Sequence, residues 1–125
     1  MHKRAKGNIG EDIAVSFLKK KGFHIKDRNY LKKWGELDIV ATRSRMIHFF
    51  EVKSVTREMF HDSKDHNPED NVHGLKVKHL RRIIETYLEE KTGRIDTEFQ
   101  FHVLCVFMNM DTHNAKVKWL QNIIL

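Results

Sequence analysis

The chain has 125 residues, 40% of them hydrophobic, which suits one globular domain spanning residues 1–125. No apolar run approaches the roughly 20 residues of a membrane-spanning helix, and the basic N-terminus lacks the apolar segment of a signal peptide. The net charge of +6 favours a polyanionic partner, and the single cysteine, Cys105, cannot form an internal disulfide, so we expect a cytoplasmic protein with no membrane partner.

The first predicted element is a helix from about Asn8 to Lys21. Its apolar residues recur at helical spacing: Ile13, Ala14, Phe17 and Leu18. Gly22 is placed to end this helix. Glu11 lies in the first turn beside the apolar stripe, where an acid also favours the helix dipole, so Glu11 has an ordinary structural explanation as well as a functional one.

Three strands follow, predicted at 23–31, 36–42 and 46–55, and the short turns between them predict an antiparallel meander. Residues 56–72 form the least regular part of the chain, and we expect a substrate-facing loop there. Three histidines in and after this loop match no tight zinc pattern: His61, His66 and His73.

A second helix is predicted from about His73 to Lys91, with Gly93 closing it. Its buried stripe should consist of Leu80, Ile83, Ile84, Tyr87 and Leu88. Two further strands are predicted at 99–108 and 115–120, and the helical crossover allows the fourth strand to lie parallel to a neighbour. The predicted fold is α/β, with a mixed four- to five-stranded sheet flanked by helices.

The second and third strands each carry charged residues inside apolar sequence. If they pair as a hairpin about residues 44 and 45, Asp38 falls opposite Glu51 and Glu36 falls opposite Lys53. Side chains alternate along a strand, so these four residues would share one face. The opposite face would be core, with Leu37, Ile39, Ala41, Phe50 and Val52.

Two opposed carboxylates about 5 Å apart repel each other by roughly 3 kcal/mol at an effective dielectric of about 20. Such a pair either raises one pKa or binds a cation, and Mg²⁺ suits one or two carboxylates completed by water and phosphate oxygens. Lys53 could then hold the attacking water or the phosphate. The alternative is a pair of cross-strand salt bridges on a solvated face, which apolar neighbours on that face disfavour: Val40, Ile47, Phe49 and Val55.

Asp38 followed by Glu51-Val52-Lys53 resembles the PD-(D/E)xK nuclease core, here without its proline. Nearly the whole chain resembles the YraN-like family, which is grouped with endonucleases and related to archaeal Holliday-junction resolvases. The motifs that carry the resemblance are Gly7-x-x-Gly10-Glu11-x-x-Ala14, Gly22-Phe23, Arg28-Asn29-Tyr30, Gly35-Glu36-Leu37-Asp38, Phe50-Glu51-Val52-Lys53, Lys76 ahead of Leu80, Tyr87-Leu88 and Trp119-Leu120-Gln121-Asn122. Each is weak alone, but their order and spacing together are specific.

The resemblance implies a restriction-endonuclease-like core and a Mg²⁺- or Mn²⁺-dependent nuclease acting on DNA. In this hypothesis Asp38, Glu51 and the backbone carbonyl of Val52 bind the metal, and Glu11 is an accessory ligand. Lys53 orients the attacking water, and Glu36 tunes Lys53 or acts through a water.

Basic residues flank these acids and favour sequence-independent phosphate contacts. The candidates are Lys32, Lys33, Lys76, Lys78, Arg81 and Arg82. No feature of the sequence indicates base readout, so we expect recognition of branched, flapped or free-ended DNA, and the junction-resolving relatives imply a possible homodimer. A non-catalytic nucleic-acid-binding module that keeps the nuclease fold would explain the basic surface equally well. A third hypothesis is a scaffold that pairs through a strand edge.

Overall fold

A computed structural model describes residues 3–56, 77–109 and 111–125, with side chains from residue 9 onward in those ranges. The elements in chain order are α1 (Lys3–Lys20), β1 (His24–Lys32), β2 (Gly35–Arg43), β3 (Met46–Thr56), α2 (Val77–Thr92), β4 (Phe99–Asn109) and β5 (Asn114–Leu120). The predicted loop after residue 56, Lys76 and the predicted start of the second helix lie outside the described residues.

The strands form one five-stranded mixed sheet in the order β1-β2-β3-β4-β5. Strands β1, β2 and β3 are antiparallel neighbours, β3 and β4 are parallel, and β5 returns antiparallel to β4. The predicted α/β class, the meander and the parallel fourth strand are therefore confirmed, and the architecture is consistent with a restriction-endonuclease-like core.

Both faces of the sheet are covered by a helix, so the strands carry core residues on both sides. The predicted buried stripe of α2 is confirmed in full, and it packs with Val40, Phe49 and Val103 of the sheet. Helix α1 packs Ala14 and Leu18 onto the other face. The charged residues of β2 and β3 therefore belong to a sheet that has an apolar cluster on each face.

Two glycines end the helices as predicted. Gly22 has a φ of 90°, and the Phe23 amide donates to the Leu18 carbonyl at 3.0 Å. Gly93 has a φ of 75°, and its amide donates to the Glu89 carbonyl at 3.1 Å. Within the described ranges, no helix is long and apolar enough to cross a membrane.

Candidate active site

The β2–β3 hairpin has the predicted register, from Arg43 opposite Met46 to Ile39 opposite Phe50. The turn residues Ser44 and Arg45 both have positive φ, as a tight hairpin turn requires. The ladder ends at Ile39 and Phe50, one residue before the predicted pair of acids. Neither Asp38 with Glu51 nor Glu36 with Lys53 is a ladder pair, so that part of the prediction is wrong.

The sheet forks where this ladder ends. Strand β2 stays paired with β1 as far as Gly35 opposite Lys32, whereas β3 stays paired with β4 as far as Thr56 opposite Met108. The Val52 amide, which has lost its place in a β2–β3 ladder, donates to Asp38 Oδ2 at 2.8 Å. Asp38 therefore bridges the fork with its side chain instead of its backbone.

The fork also breaks the predicted alternation of faces. Leu37 packs into the α2-side cluster, whereas Ile39 packs into the α1-side cluster, although strict alternation would place both on one face. Across from Asp38 on β1, Asn29 has a φ of 54°, and the β1–β2 register skips this position. The prediction of a single core face containing both Leu37 and Ile39 is therefore wrong.

Asp38 and Glu51 form a strongly perturbed pair of acids. Burial, followed by the Glu51 carboxylate, raises the pKa of Asp38 to about 8, although the Val52 amide acts in the opposite direction. Burial also raises the pKa of Glu51, and the nearby Lys53 partly offsets this effect. The two carboxyl groups also hydrogen-bond to each other.

Glu11 approaches this pair from α1. Gly10 allows the approach, because a Cβ at that position would collide with Ser54 Oγ of β3. The Glu11 side chain is 13% exposed, and its Oε1 has no hydrogen-bond partner among the described residues. Arg28 Nη2 lies 3.6 Å from that oxygen and 2.8 Å from Asp12 Oδ1. Glu11 is close enough to Asp38 to raise its pKa.

Lys53 and Glu36 complete the predicted site. Lys53 Nζ lies 3.6 Å from Glu51 Oε1, and 36% of the lysine side chain is exposed. Glu36 helps to raise the pKa values of both Asp38 and Glu51. It also lines a cleft of about 210 Å³ on the α2 side, together with Trp34, Gly35, Glu51, His79, Leu80 and Ile83.

The predicted acids are thus near enough to affect the pKa of Asp38, but they do not form a close cluster. Within the described part of the chain, no three His, Cys, Asp or Glu side chains are arranged so that they could hold a metal ion together. Two carboxylates alone fit a cation that takes most of its ligands from water and phosphate oxygens, as Mg²⁺ does.

The predicted basic residues fall into two groups. Lys33 and Lys78 are exposed. The other three described candidates have intramolecular partners: Lys32 Nζ lies 2.8 Å from Glu90 Oε2, the Arg82 guanidinium lies 4.4 Å from the centre of the Trp34 ring, and Arg81 donates to the Leu125 carbonyl. Lys76, the sixth candidate, lies outside the described residues.

Sequence reasoning missed His79, which lines the cleft beside Glu36 and Glu51. The available signal was its position directly before Leu80, the first residue of the buried stripe, in the first turn of α2. A residue next to the buried stripe lies at the edge of the interface between α2 and the sheet, and His79 occupies this position.

A second buried polar group lies on the α1 side of the sheet. His48 Nδ1 and His102 Nε2 are 2.9 Å apart, and the Asn122 amide donates to His102 Nδ1 at 2.9 Å. Because Nδ1 accepts this bond, the neutral His102 ring carries its proton on Nε2 and donates it to His48. His48 also hydrogen-bonds to the backbone of Arg43. Burial lowers the pKa of His102 to about 4, so the pair is neutral at physiological pH.

Comparison with known proteins places these residues in a family. Residues 10–106 match the sequence profile of the Uncharacterised protein family UPF0102, and this range includes every described acid of the fork. A UPF0102 protein of Caldicellulosiruptor saccharolyticus is 35% identical over 122 residues, which is 98% of each chain. One from Campylobacter jejuni is 36% identical over 80% of this chain and 81% of its own length. One from Helicobacter hepaticus is 38% identical over 70% and 73%, respectively.

Proposed function

We propose that this chain, which belongs to the uncharacterised UPF0102 family, is a Mg²⁺- or Mn²⁺-dependent endonuclease that hydrolyses phosphodiester bonds in DNA. The observation that carries the proposal is the fork between β2 and β3, where Asp38 and Glu51 lie side by side, both partly buried, and the pKa of Asp38 is raised to about 8. Adjacent buried carboxylates are unfavourable without a partner, and a bound cation relieves the repulsion.

The donor set fits such a cation. Asp38 and Glu51 offer carboxylate oxygens, and the Val52 carbonyl follows directly after Glu51 on β3. The Glu11 Oε1 atom, which has no hydrogen-bond partner among the described residues and lies 3.6 Å from Arg28 Nη2, is a further oxygen that could turn to a cation. Oxygen donors of this kind suit Mg²⁺ and Mn²⁺ and do not suit a structural zinc site. The cation would polarise a phosphoryl oxygen and lower the pKa of a water molecule.

The remaining chemistry belongs to side chains of the fork. Lys53, which lies beside Glu51 and is partly exposed, can orient the attacking water and stabilise the negative charge that develops on the phosphate. Glu36 adds negative charge near Asp38 and Glu51, which strengthens the attraction of the site for a cation. The Val52 amide fixes the orientation of Asp38 through its 2.8 Å hydrogen bond.

The basic residues would supply sequence-independent contacts to the DNA backbone. Lys33 follows β1 at the turn into β2, and Lys78 lies in the first turn of α2, next to His79. Both flank the cleft that contains Glu36 and Glu51, and both are exposed. Phosphate contacts of this kind carry no base information, so we expect the DNA to be selected by its branching or its ends.

One observation favours a second candidate, a nucleic-acid-binding module without catalysis. The described residues contain no group of three metal-binding side chains, so the fork could hold a proton-sharing acid pair and nothing more. Such a module has no physical need for the Lys53 ammonium beside a buried carboxylate. Cation binding therefore distinguishes the two candidates.

The test is calorimetric titration of the protein with Mn²⁺, followed by cleavage assays on branched, flapped and linear DNA. The wild type should bind Mn²⁺ and cut DNA, whereas Asp38→Asn should lose both activities and keep the fold, because asparagine can still accept the Val52 amide. Asp96→Asn is the matched control, since it removes the same charge from an exposed residue that pairs with Arg94. No heat of Mn²⁺ binding at millimolar concentration would refute the metal-dependent proposal.

A further inference from the structure

The cleft beside the fork contains a donor that the proposed mechanism does not use. It is lined by the acids Glu36 and Glu51, which are acceptors when ionised, and by Leu80 and Ile83, which are apolar. The Trp34 indole also lines it, but its Nε1 donates to Thr86 Oγ1 at 3.1 Å. Among the described residues that line the cleft, His79 is thus the one with an uncommitted side-chain donor.

The fold holds His79 at this position. Leu80 and Ile83 are buried against the sheet, which fixes the rotation of α2 about its axis. Gly35 allows the helix to approach β2, because a Cβ there would lie 3.2 Å from Ile83 Cβ and 3.7 Å from the His79 carbonyl oxygen. His79 therefore lies on a fixed helical turn in the wall of the cleft that reaches Glu51, and its side chain is exposed.

Within the proposed nuclease, on which this inference rests, we propose that His79 is a catalytic residue that donates a hydrogen bond to the leaving oxygen of the scissile phosphodiester. When water attacks, its oxygen forms a bond to phosphorus and releases a proton to solvent. The bond to the leaving oxygen breaks, and that oxygen receives the electron pair and then takes a proton from solvent. A donor aimed at this developing charge lowers the barrier. In this proposal Lys53, which lies near Glu51, contacts the attacking water, and His79 contacts the leaving oxygen.

The charge of the cleft supports this assignment. A phosphodiester that enters past Glu36 and Glu51 meets two acidic groups, and His79 adds a hydrogen-bond donor to the lining of the same cleft. Lys78, which is exposed and adjacent to His79 on α2, adds a positive charge beside it. A histidine here carries no negative charge to repel the phosphate, and its ring N–H can donate a hydrogen bond in a defined direction.

The test compares ordinary DNA with a substrate whose leaving oxygen is replaced by sulfur. A thiolate leaves readily and accepts hydrogen bonds weakly, so it needs no donor. His79→Ala should lower kcat on ordinary DNA by about 100-fold and change kcat on the sulfur-linked substrate by less than about 3-fold. His24→Ala, a matched change of an exposed histidine at the start of β1, should leave both rates unchanged.

Each outcome is decisive. Equal losses on both substrates, or no loss on either, would refute the role of His79 while leaving the nuclease intact. A wild-type protein that cuts neither substrate would refute the nuclease, and with it the catalytic role. As a readout independent of cleavage, the His79 imidazole resonance should move on addition of thymidylyl-thymidine to metal-free protein, and that of His24 should not. Absence of this movement would refute the contact.

Discussion

Two polar pairs lie in the same sheet, one buried and one partly buried, and they differ in hydrogen bonding and in charge. In the His48–His102 pair, a hydrogen-bond series runs from the Asn122 amide through both rings to the backbone of Arg43. In the Asp38–Glu51 pair, both groups are acids and the pKa values of both are raised. A buried pair that is neutral and fully bonded stabilises the fold, whereas one with surplus negative charge indicates a missing ligand.

The largest effect should come from neutralising the surplus charge. Glu51→Gln should lower DNA cleavage by at least about 100-fold, because a carboxylate oxygen is lost from the proposed cation site. DNA binding measured in EDTA should be retained, since removal of a negative charge does not weaken phosphate contacts. Glu98→Gln, a change of an exposed acid, is the control. A Glu51→Gln protein that cuts DNA within about 3-fold of the wild-type rate would contradict the proposed site.

Disrupting the histidine pair should affect stability instead of activity. His102→Ala removes a fully buried side chain and leaves the Asn122 amide and a His48 nitrogen without partners, so we expect a loss of about 2–4 kcal/mol in the free energy of unfolding. Urea titration measures this loss, with His24→Ala as a control that should stay within about 0.5 kcal/mol. Cleavage per folded molecule should be unchanged. A loss below about 1 kcal/mol would mean that the pair is not a structural anchor.

Removing one acid of the Asp38–Glu51 pair should raise the free energy of unfolding in the absence of metal, whereas removing His102 should lower it. Asp38→Asn should raise the free energy of unfolding at pH 8 by about 1 kcal/mol or more, because it removes the repulsion that raises the pKa. The folded-state pKa of about 8 lies above the ordinary value of 3.8, so wild-type stability should fall as pH rises from about 4 to about 8. Urea unfolding in EDTA at several pH values checks this, and a flat wild-type profile above pH 6.5 would contradict it.

The histidine pair should give a slope of the opposite sign. The pKa of His102 is lowered from 6.5 to about 4, so its contribution is complete above pH 6.5 and is lost as pH falls toward 4. Asp38→Asn should therefore retain the loss of stability as pH falls toward 4 and lack the loss as pH rises from 6.5 to about 8. Persistence of the second loss in this variant would assign it to another group.

The smallest effect should distinguish exposed from paired lysines. Lys33→Ala should reduce the salt dependence of DNA binding by about 0.9 in the log–log slope, the amount expected for one lost phosphate contact. Lys32→Ala should change the slope less, because Lys32 already pairs with Glu90. Fluorescence anisotropy at several salt concentrations measures both slopes. An unchanged slope for Lys33→Ala would exclude that residue from the interface.

The hairpin register was predictable because it depends on short-range information. The turn at Ser44 and Arg45 sets which residues face each other, and the ladder from Ile39 to Arg43 follows it. The buried stripe of α2 was predictable for the same reason, since helical periodicity is local. The approximate convergence of Asp38, Glu51 and Lys53 followed from the register.

The fork was not predictable, because it results from a competition between partners. Beyond Ile39, β2 follows β1 while β3 follows β4, and neither preference can be read from β2 and β3 alone. The change of face at Leu37 is a consequence of this separation. The contact of His48 with His102 depends on residues far apart in the chain, so local patterns carry no information about it. His79 had a local signal in its position before Leu80, but the cleft that it lines also depends on Glu36 and Glu51 of distant strands.

The close approach of α1 to β3 at Gly10 influences how near Glu11 lies to the other acids. Since a Cβ at position 10 would collide with Ser54 Oγ, the position of α1 along β3 depends on side-chain volume at that residue as well as on the contacts of Arg28 with Glu11 and Asp12. A methyl group at position 10 would displace the next residue, Glu11, relative to Asp38 without removing an ionisable group.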